Sequence, residues 1–223
     1  MKLLLTSAGI KNRTIEAALL DLLGKPIAES SALCIPTSSY GMGRRGPQAA
    51  WRFISGLESE CPMTELGWKS MGVLELTALP SLDREQWVPV VLETDVLLVN
   101  GGDPMYLHHW VVQSGLAELV PSLDDTVYVG LSAGSMLMTP RIGEDFVEWR
   151  SPAGDDRTLG LVDFAIFPHL DNPDLPYNTM AHAERWAAGM SIPAYAIDDQ
   201  TAIRVSDGAV EVVSEGHWRQ FTT

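Results

Sequence analysis

The sequence predicts an α/β fold: a doubly wound, mostly parallel sheet sandwiched by helices and closed by a C-terminal β-hairpin. Three observations carry this. Short, near-continuous apolar runs such as "KLLLTSAG" (2–9) and "DVLLVNGG" (95–102) have the composition of strands buried on both faces. Amphipathic helical patterns alternate with these runs. Right-handed crossovers between parallel strands then put helices on both sides of the sheet.

The elements follow in order. Residues 2–9 read as a first strand. In "NRTIEAALLDLLG" (12–24), Ile15, Leu19, Leu22 and Leu23 share a helical face, and Gly24 is the stop signal. "SALCIPT" (31–37) reads as a strand, "PQAAWRFISGL" (47–57) as a helix, and "GVLELTAL" (72–79) as a strand. The strand at 95–102 leads into a helix over 105–120 that Gly115 must interrupt. "TVYVGLS" (126–132) is a strand, with a helix from Ala133. "VDFAIFPHL" (162–170) is a strand and "NTMAHAERWAAGM" (178–190) a helix. Closing strands fall at 194–199, 201–208 and 209–216, with Asp207-Gly208 as a hairpin turn. In such sheets, sites form at the C-terminal ends of strands.

The 223 residues fit one domain spanning 1–223, with 46% hydrophobic residues to build its core. A net charge of −14 repels nucleic acid and anionic membranes, so neither is expected as a partner. Cys34 and Cys61 form no CxxC motif and no zinc spacing, which suits a reduced, cytoplasmic protein. The N-terminal apolar run is too short for a signal segment, and no run reaches membrane-spanning length. The loops at 38–47 and 144–157 are candidate lids.

One stretch carries chemistry. "VYVGLSAGSM" brings an apolar strand to Gly130-Leu131-Ser132-Ala133-Gly134 and then to an apolar helical run. This is the G-x-S-x-G form of a nucleophile elbow, in which small neighbours permit a strained turn and a helix N-terminus faces the reacting oxygen. The bland alternative is a small residue at a strand-helix junction. A serine needs a base. Of His108, His109, His169, His182 and His217, only His169 falls at the C-terminal end of an apolar strand. A third group orients the imidazole. Asp198 and Asp199 end another strand, where either serves as that group or the pair is a plain turn signal. "VNGGDP" (99–104) offers glycine amides for an oxyanion hole and lacks the lysine of a phosphate loop.

Together, "NGGDPMYL", "GLSAGSM", "FPHL" and "AIDDQTAIRV" resemble the peptidase E family of serine peptidases, the aspartyl dipeptidases, to which cyanophycinases are related. The resemblance covers roughly residues 95–205. It implies a class I glutamine amidotransferase-like (flavodoxin-like) fold and a serine-type dipeptidase acting on short peptides, with no metal or other cofactor. It makes Ser132 the nucleophile, His169 the base and Asp199, directly before "QTAI", the acid. The oxyanion donors become the amides of Gly102 and Ala133, with Gly101 or Asp103 as substitutes. Recognition of an N-terminal aspartate needs a cation. The family position falls on His182, with Arg185 one turn later, and Asp103 adds a negative charge beside the hole. A cyanophycinase-like or isoaspartyl-type peptidase, and a non-catalytic binder on the same fold, stay open. Monomer and homodimer both fit.

Overall fold

The computed structural model describes residues 1–57, 61–152 and 154–222, so Ala153 of the second candidate lid lies outside the described residues. Seven strands form the main sheet: β1 (Lys2–Thr6), β2 (Ser31–Ile35), β3 (Ser70–Val73), β4 (Val96–Val99), β5 (Val127–Leu131), β8 (Thr201–Ser206) and β9 (Ala209–Ser214). Their order is β3-β2-β4-β5-β1-β8-β9. The first five are parallel, and β8 and β9 join antiparallel beyond β1. The remaining strands, β6 (Ala165–Phe167), β7 (Ala194–Ile197) and β10 (Trp218–Phe221), form a separate sheet in the order β10-β7-β6.

Both faces of the inner parallel strands β1, β2, β4 and β5 are buried, as their continuous apolar character requires, while the edge strand β3 is partly exposed. Leu3, Leu5, Leu97, Val99 and Tyr128 face one core, with Trp87 and Val91 of α3 (Arg84–Leu92) and Leu107 and Val111 of α4 (Pro104–Gln113). Their neighbours Leu4, Val96, Leu98, Val127 and Val129 face the other. Ile15, Leu19 and Leu22 of α1 (Arg13–Leu23) and Phe53 of α2 (Gly46–Ile54) cover that side. Cys34 lies in this second core, where burial pushes its thiol up to about 11.

Local signals set the helix ends. The Asn12 side chain caps α1 by accepting from the Ile15 amide, and Gly24 ends it at φ 68°. Gly115, at φ 79°, separates α4 from the single turn α5 (Leu116–Leu119). Asp207 and Gly208, at φ 51° and 77°, form the β8–β9 hairpin turn.

The structure corrects several expectations. The strand placed at 72–79 is β3 at Ser70–Val73, and the chain turns after it. Leu74, Leu76 and Leu79 are buried because this turn packs into the first core. There the Leu76 amide donates to Thr37 Oγ1 instead of a neighbouring strand. Helix α3 is absent from the sequence reading because Pro89 interrupts the region's helical signal. The helix after Ser132, α6 (Ala133–Met136), is one turn long. The 38–47 loop is largely 3₁₀-helical, with Ser38 and Ser39 buried and Met42 to Arg45 exposed. A Cβ on Gly41 would come within 2.6 Å of Asp103 Cβ and 2.7 Å of Tyr106 Cβ. Among the described residues, no helix is long and apolar enough to cross a membrane.

Candidate active site

The C-terminal ends of β4, β5 and β1 lie side by side, carrying "NGGD", Ser132 and Ser7 respectively. Ser132 sits between β5 and α6 at φ 49° and ψ −107°, a conformation that costs a non-glycine residue on the order of 1–3 kcal/mol. The packing that enforces it is visible at the two flanking glycines. A Cβ on Gly130 would lie 2.6 Å from the Ser135 amide nitrogen, and one on Gly134 would lie 2.4 Å from the Val99 carbonyl. The turn is therefore pressed directly against the sheet, and G-x-S-x-G is a steric requirement here. From below, Tyr128 Oη donates to the Gly134 carbonyl (2.6 Å). The Ser132 amide donates to the Thr6 carbonyl (3.0 Å).

His169 follows β6 at φ 57°. Its Nδ1 lies 2.7 Å from Asp199 Oδ1. Facing a carboxylate, Nδ1 carries the proton, which leaves Nε2 with its lone pair. The choice between the two aspartates resolves in geometry. Asp199 meets the imidazole, whereas Asp198 Oδ1 accepts from the Gln200 amide (3.0 Å) and Thr201 Oγ1 (2.6 Å). Asp199 also accepts from Asn172 Nδ2 (2.6 Å) and from Ser7 Oγ (3.0 Å). Burial pushes the Asp199 carboxyl up, but the hydrogen bond and charge of His169, with Asn172 and Ser7, outweigh it and hold the carboxyl below its ordinary range.

Ser7 is a functional candidate that the sequence reading missed. Its hydroxyl donates to Asp199 and accepts from the His169 amide (2.6 Å), while the preceding residue, Thr6, accepts from Ser132. Two consecutive residues at the end of β1 thus tie Ser132, His169 and Asp199 to one point. The expected strand ran through to Gly9, which hid Ser7 inside it. No hydrogen bond joins Ser132 Oγ to the ring among the described residues. Such bonds are often loose without substrate and tighten on binding.

The glycine loop divides its amides. The Gly101 amide donates to Asn100 Oδ1 (2.8 Å) and the Asp103 amide to the Ser38 carbonyl (3.0 Å). Among the described residues, the amides of Gly102 and Ala133 have no such partner, and Ala133 is the first residue of its helix. Gly102 takes φ 143°, and a Cβ there would meet the Ser38 carbonyl oxygen at 2.5 Å. A Cβ on Gly101 would lie 3.4 Å from Ser132 Cβ, so the loop passes close to the serine. Asp103 is buried and directs no lone oxygen at the hole. Its Oδ1 caps α4 at the Tyr106 amide (2.8 Å), and its Oδ2 accepts from the Trp149 amide (2.8 Å), pinning the 144–157 loop.

His182 and Arg185 lie on α7 (Met180–Ala188). His182 Nδ1 meets the Tyr177 carbonyl (2.7 Å) and Nε2 meets Asp145 Oδ2 (2.9 Å), so both ring nitrogens are engaged. Arg185 is exposed in the last turn of the helix. No group of three or more potential metal ligands occurs among the described residues.

A strained serine on a strand-turn-helix, with an Asp-paired imidazole tied through Ser7 to the end of the neighbouring strand β1, has the arrangement of a serine-nucleophile hydrolase. The chain matches the profile of peptidase family S51 over residues 3–213, and it belongs to that family of serine peptidases. Two solved structures are similar to it. One is a candidate peptidase E protein from Listeria monocytogenes EGD-e, with 19% identity, TM-score 0.66, and coverage of 96% of this chain and 98% of that one. The other is a peptidase from an acI-B1 Actinobacterium, with 19% identity, TM-score 0.67, and coverage of 99% and 93%. At this identity they establish the shared fold. No curated protein sequence matches the chain.

Proposed function

We propose that the protein is a dipeptidase in which Ser132 attacks the scissile carbonyl. His169 Nε2 takes the serine proton as the C–O bond forms. The amides of Gly102 and Ala133 receive the oxyanion, each donor contributing about 3 kcal/mol to the transition state. The imidazolium then passes its proton to the leaving amine as the C–N bond breaks. Water, deprotonated by the same imidazole, attacks the acyl-enzyme and releases the product acid. Asp199 holds the ring in its Nδ1–H tautomer and stabilises the imidazolium without taking its proton. The observation that carries this reading is the 2.7 Å contact between His169 Nδ1 and Asp199 Oδ1, held through Ser7 at the sheet edge that carries Ser132.

A preference for N-terminal aspartate completes the proposal and needs a cation for the side-chain carboxylate. Arg185 is the exposed arginine of α7, whereas His182 would first have to leave Asp145. Hydrolysis of Asp-Xaa, Glu-Xaa, β-Asp-Xaa and neutral dipeptides by the parent and by Ser132→Ala tests the whole reading. Asp-Xaa cleavage that disappears in the variant supports chemistry and specificity together. Neutral cleavage alone retains the chemistry and removes the aspartyl preference. β-Asp cleavage selects the isoaspartyl alternative, and activity equal in parent and variant removes Ser132 from the mechanism.

A further inference from the structure

His169 is held by its main chain as well as by its ring, and both holds meet at one hydroxyl. The His169 amide donates to Ser7 Oγ (2.6 Å). A hydroxyl that accepts there still has its own proton to place. Ser7 is fully buried, and among the described residues its one acceptor is Asp199 Oδ1 (3.0 Å), the oxygen that also faces His169 Nδ1 at 2.7 Å. The bonds close a ring. His169 N–H points to Ser7 Oγ, Ser7 O–H to Asp199 Oδ1, and His169 Nδ1–H to that same oxygen.

Among the described residues Ser7 is the sole partner of the His169 amide, and that amide belongs to a residue at φ 57°. A histidine in the left-handed region is uncommon, and strained backbone persists only where the surroundings enforce it. The neighbouring contacts hold the loop rather than the imidazole. The Leu170 amide donates to the Ile197 carbonyl (3.0 Å), the Leu170 side chain is buried, and Asn178 Nδ2 donates to the Pro168 carbonyl (3.1 Å).

Ser7 itself stands on a fixed base. Thr6 Oγ1 donates to the Gly130 carbonyl (2.7 Å) and accepts from the Gly9 amide (2.8 Å). The Thr6 carbonyl accepts from the Ser132 amide (3.0 Å) and from Ser135 Oγ (2.7 Å). Successive groups of the chain, the Thr6 carbonyl and the Ser7 side chain, therefore anchor the serine and the histidine. We propose that Ser7 is a positioning residue: its hydroxyl keeps the His169 main chain in the left-handed conformation that presents Nε2 to Ser132. Without it, the ring can pivot about its contact with Asp199. Asn172 Nδ2 still holds the other oxygen of Asp199 (2.6 Å), so the carboxylate stays in place and the loss falls on the histidine. The inference rests on the triad reading of Ser132, His169 and Asp199, and it gives Ser7 no proton transfer of its own.

The test compares the parent with Ser7→Ala by kcat and KM on the best dipeptide, by the rate at which a fluorophosphonate labels Ser132, and by the low-field proton resonance of His169 Nδ1. Alanine is expected to lower kcat about 10- to 100-fold, the scale of a misplaced catalytic group, with KM within about twofold of the parent. Labelling should slow by a similar factor, and the resonance should broaden. Equal kcat, a change confined to KM, or a lower kcat with an unchanged resonance overturns the proposal. Labelling separates this proposal from the dipeptidase reading. Slower labelling of the variant, with no dipeptide cleaved by either protein, removes the dipeptidase reading and supports the role of Ser7. Equal labelling overturns that role whatever the dipeptides show, and a parent that is not labelled at Ser132 overturns both. Should alanine prevent folding, the parent alone decides. Its His169 amide, although in a loop, should exchange with solvent as slowly as the amides of β1, and exchange at the rate of an open loop overturns the proposal.

Discussion

Asp199 and His169 meet at 2.7 Å, and that contact does not stand alone. The second carboxylate oxygen of Asp199 accepts from Asn172, while Ser7 donates to the oxygen that faces the imidazole. The carboxylate cannot rotate without breaking a bond, so the tautomer of His169 is fixed before substrate arrives. Replacing Asp199 with asparagine keeps the shape but allows an N–H to face the ring, which then presents the wrong nitrogen to Ser132. The Asp199→Asn variant is expected to fold normally and to lose roughly 10⁴ in kcat, with a much smaller change in KM. Steady-state kinetics on the best dipeptide checks this. A loss confined to KM would remove Asp199 from the proposed triad.

The same contacts make a prediction about stability in acid. The folded-state pKa of Asp199 is depressed, so its bonds stabilise the fold fully above the ordinary aspartate range, about pH 4. They are lost as pH falls through the lower folded value. The stability difference between parent and Asp199→Asn should therefore be constant near neutrality and shrink below about pH 4. Denaturant titrations at a series of pH values measure it. A difference that stays constant into strong acid would mean that the carboxylate is not what the neighbours hold.

Ser132 carries strain that a smaller residue would release. At φ 49° and ψ −107°, alanine keeps the penalty and glycine avoids it. Release is worth on the order of 1–3 kcal/mol, against about 0.4–1 kcal/mol for the freer unfolded chain of glycine. Relief wins. Ser132→Gly should be more stable than Ser132→Ala by about 1 kcal/mol, and both should be inactive. Chemical denaturation of the two variants decides it. Equal stabilities would mean that the turn relaxes around alanine.

Ser132 and His169 stand out in the sequence as candidates because each is marked by its neighbours. Gly130 and Gly134 are there for steric reasons, and His169 ends an apolar strand. Asp198 and Asp199 could not be separated. They are adjacent at a strand end, and only the turn after β7 directs one to the imidazole and the other to Thr201 and the His217 amide. Ser7 left no signal, because a small polar residue ending a strand is ordinary. The alternating Leu74 and Leu76 mimicked a strand because a turn was packed into the core. The parallel sheet followed from runs buried on both faces. The second, three-stranded sheet depends on β7 pairing with β6 and β10, a tertiary choice with no local mark.

Asp103 links the glycine loop to the 144–157 loop, and its removal should separate binding from chemistry. One oxygen caps α4 and the other holds the Trp149 amide, so the side chain joins the segment beside Ser132 to the 144–157 loop. Tyr106 and His109 pack their rings on Trp149 at centroid distances of 5.5 and 5.2 Å, which keeps the loop near α4 even without the hydrogen bond. Asp103→Ala should therefore cost about 1 kcal/mol through the lost cap and leave the fold intact. The Gly102 amide keeps its position, because Gly102 is wedged against the Ser38 carbonyl and Ser38 Oγ still holds the carbonyls of Asn100 and Gly101. The larger effect falls on the loop. KM should rise several-fold while kcat changes little, and limited proteolysis should cut within 144–157 faster than in the parent. A fall in kcat at constant KM would instead place the Asp103 carboxylate in the chemistry at Ser132.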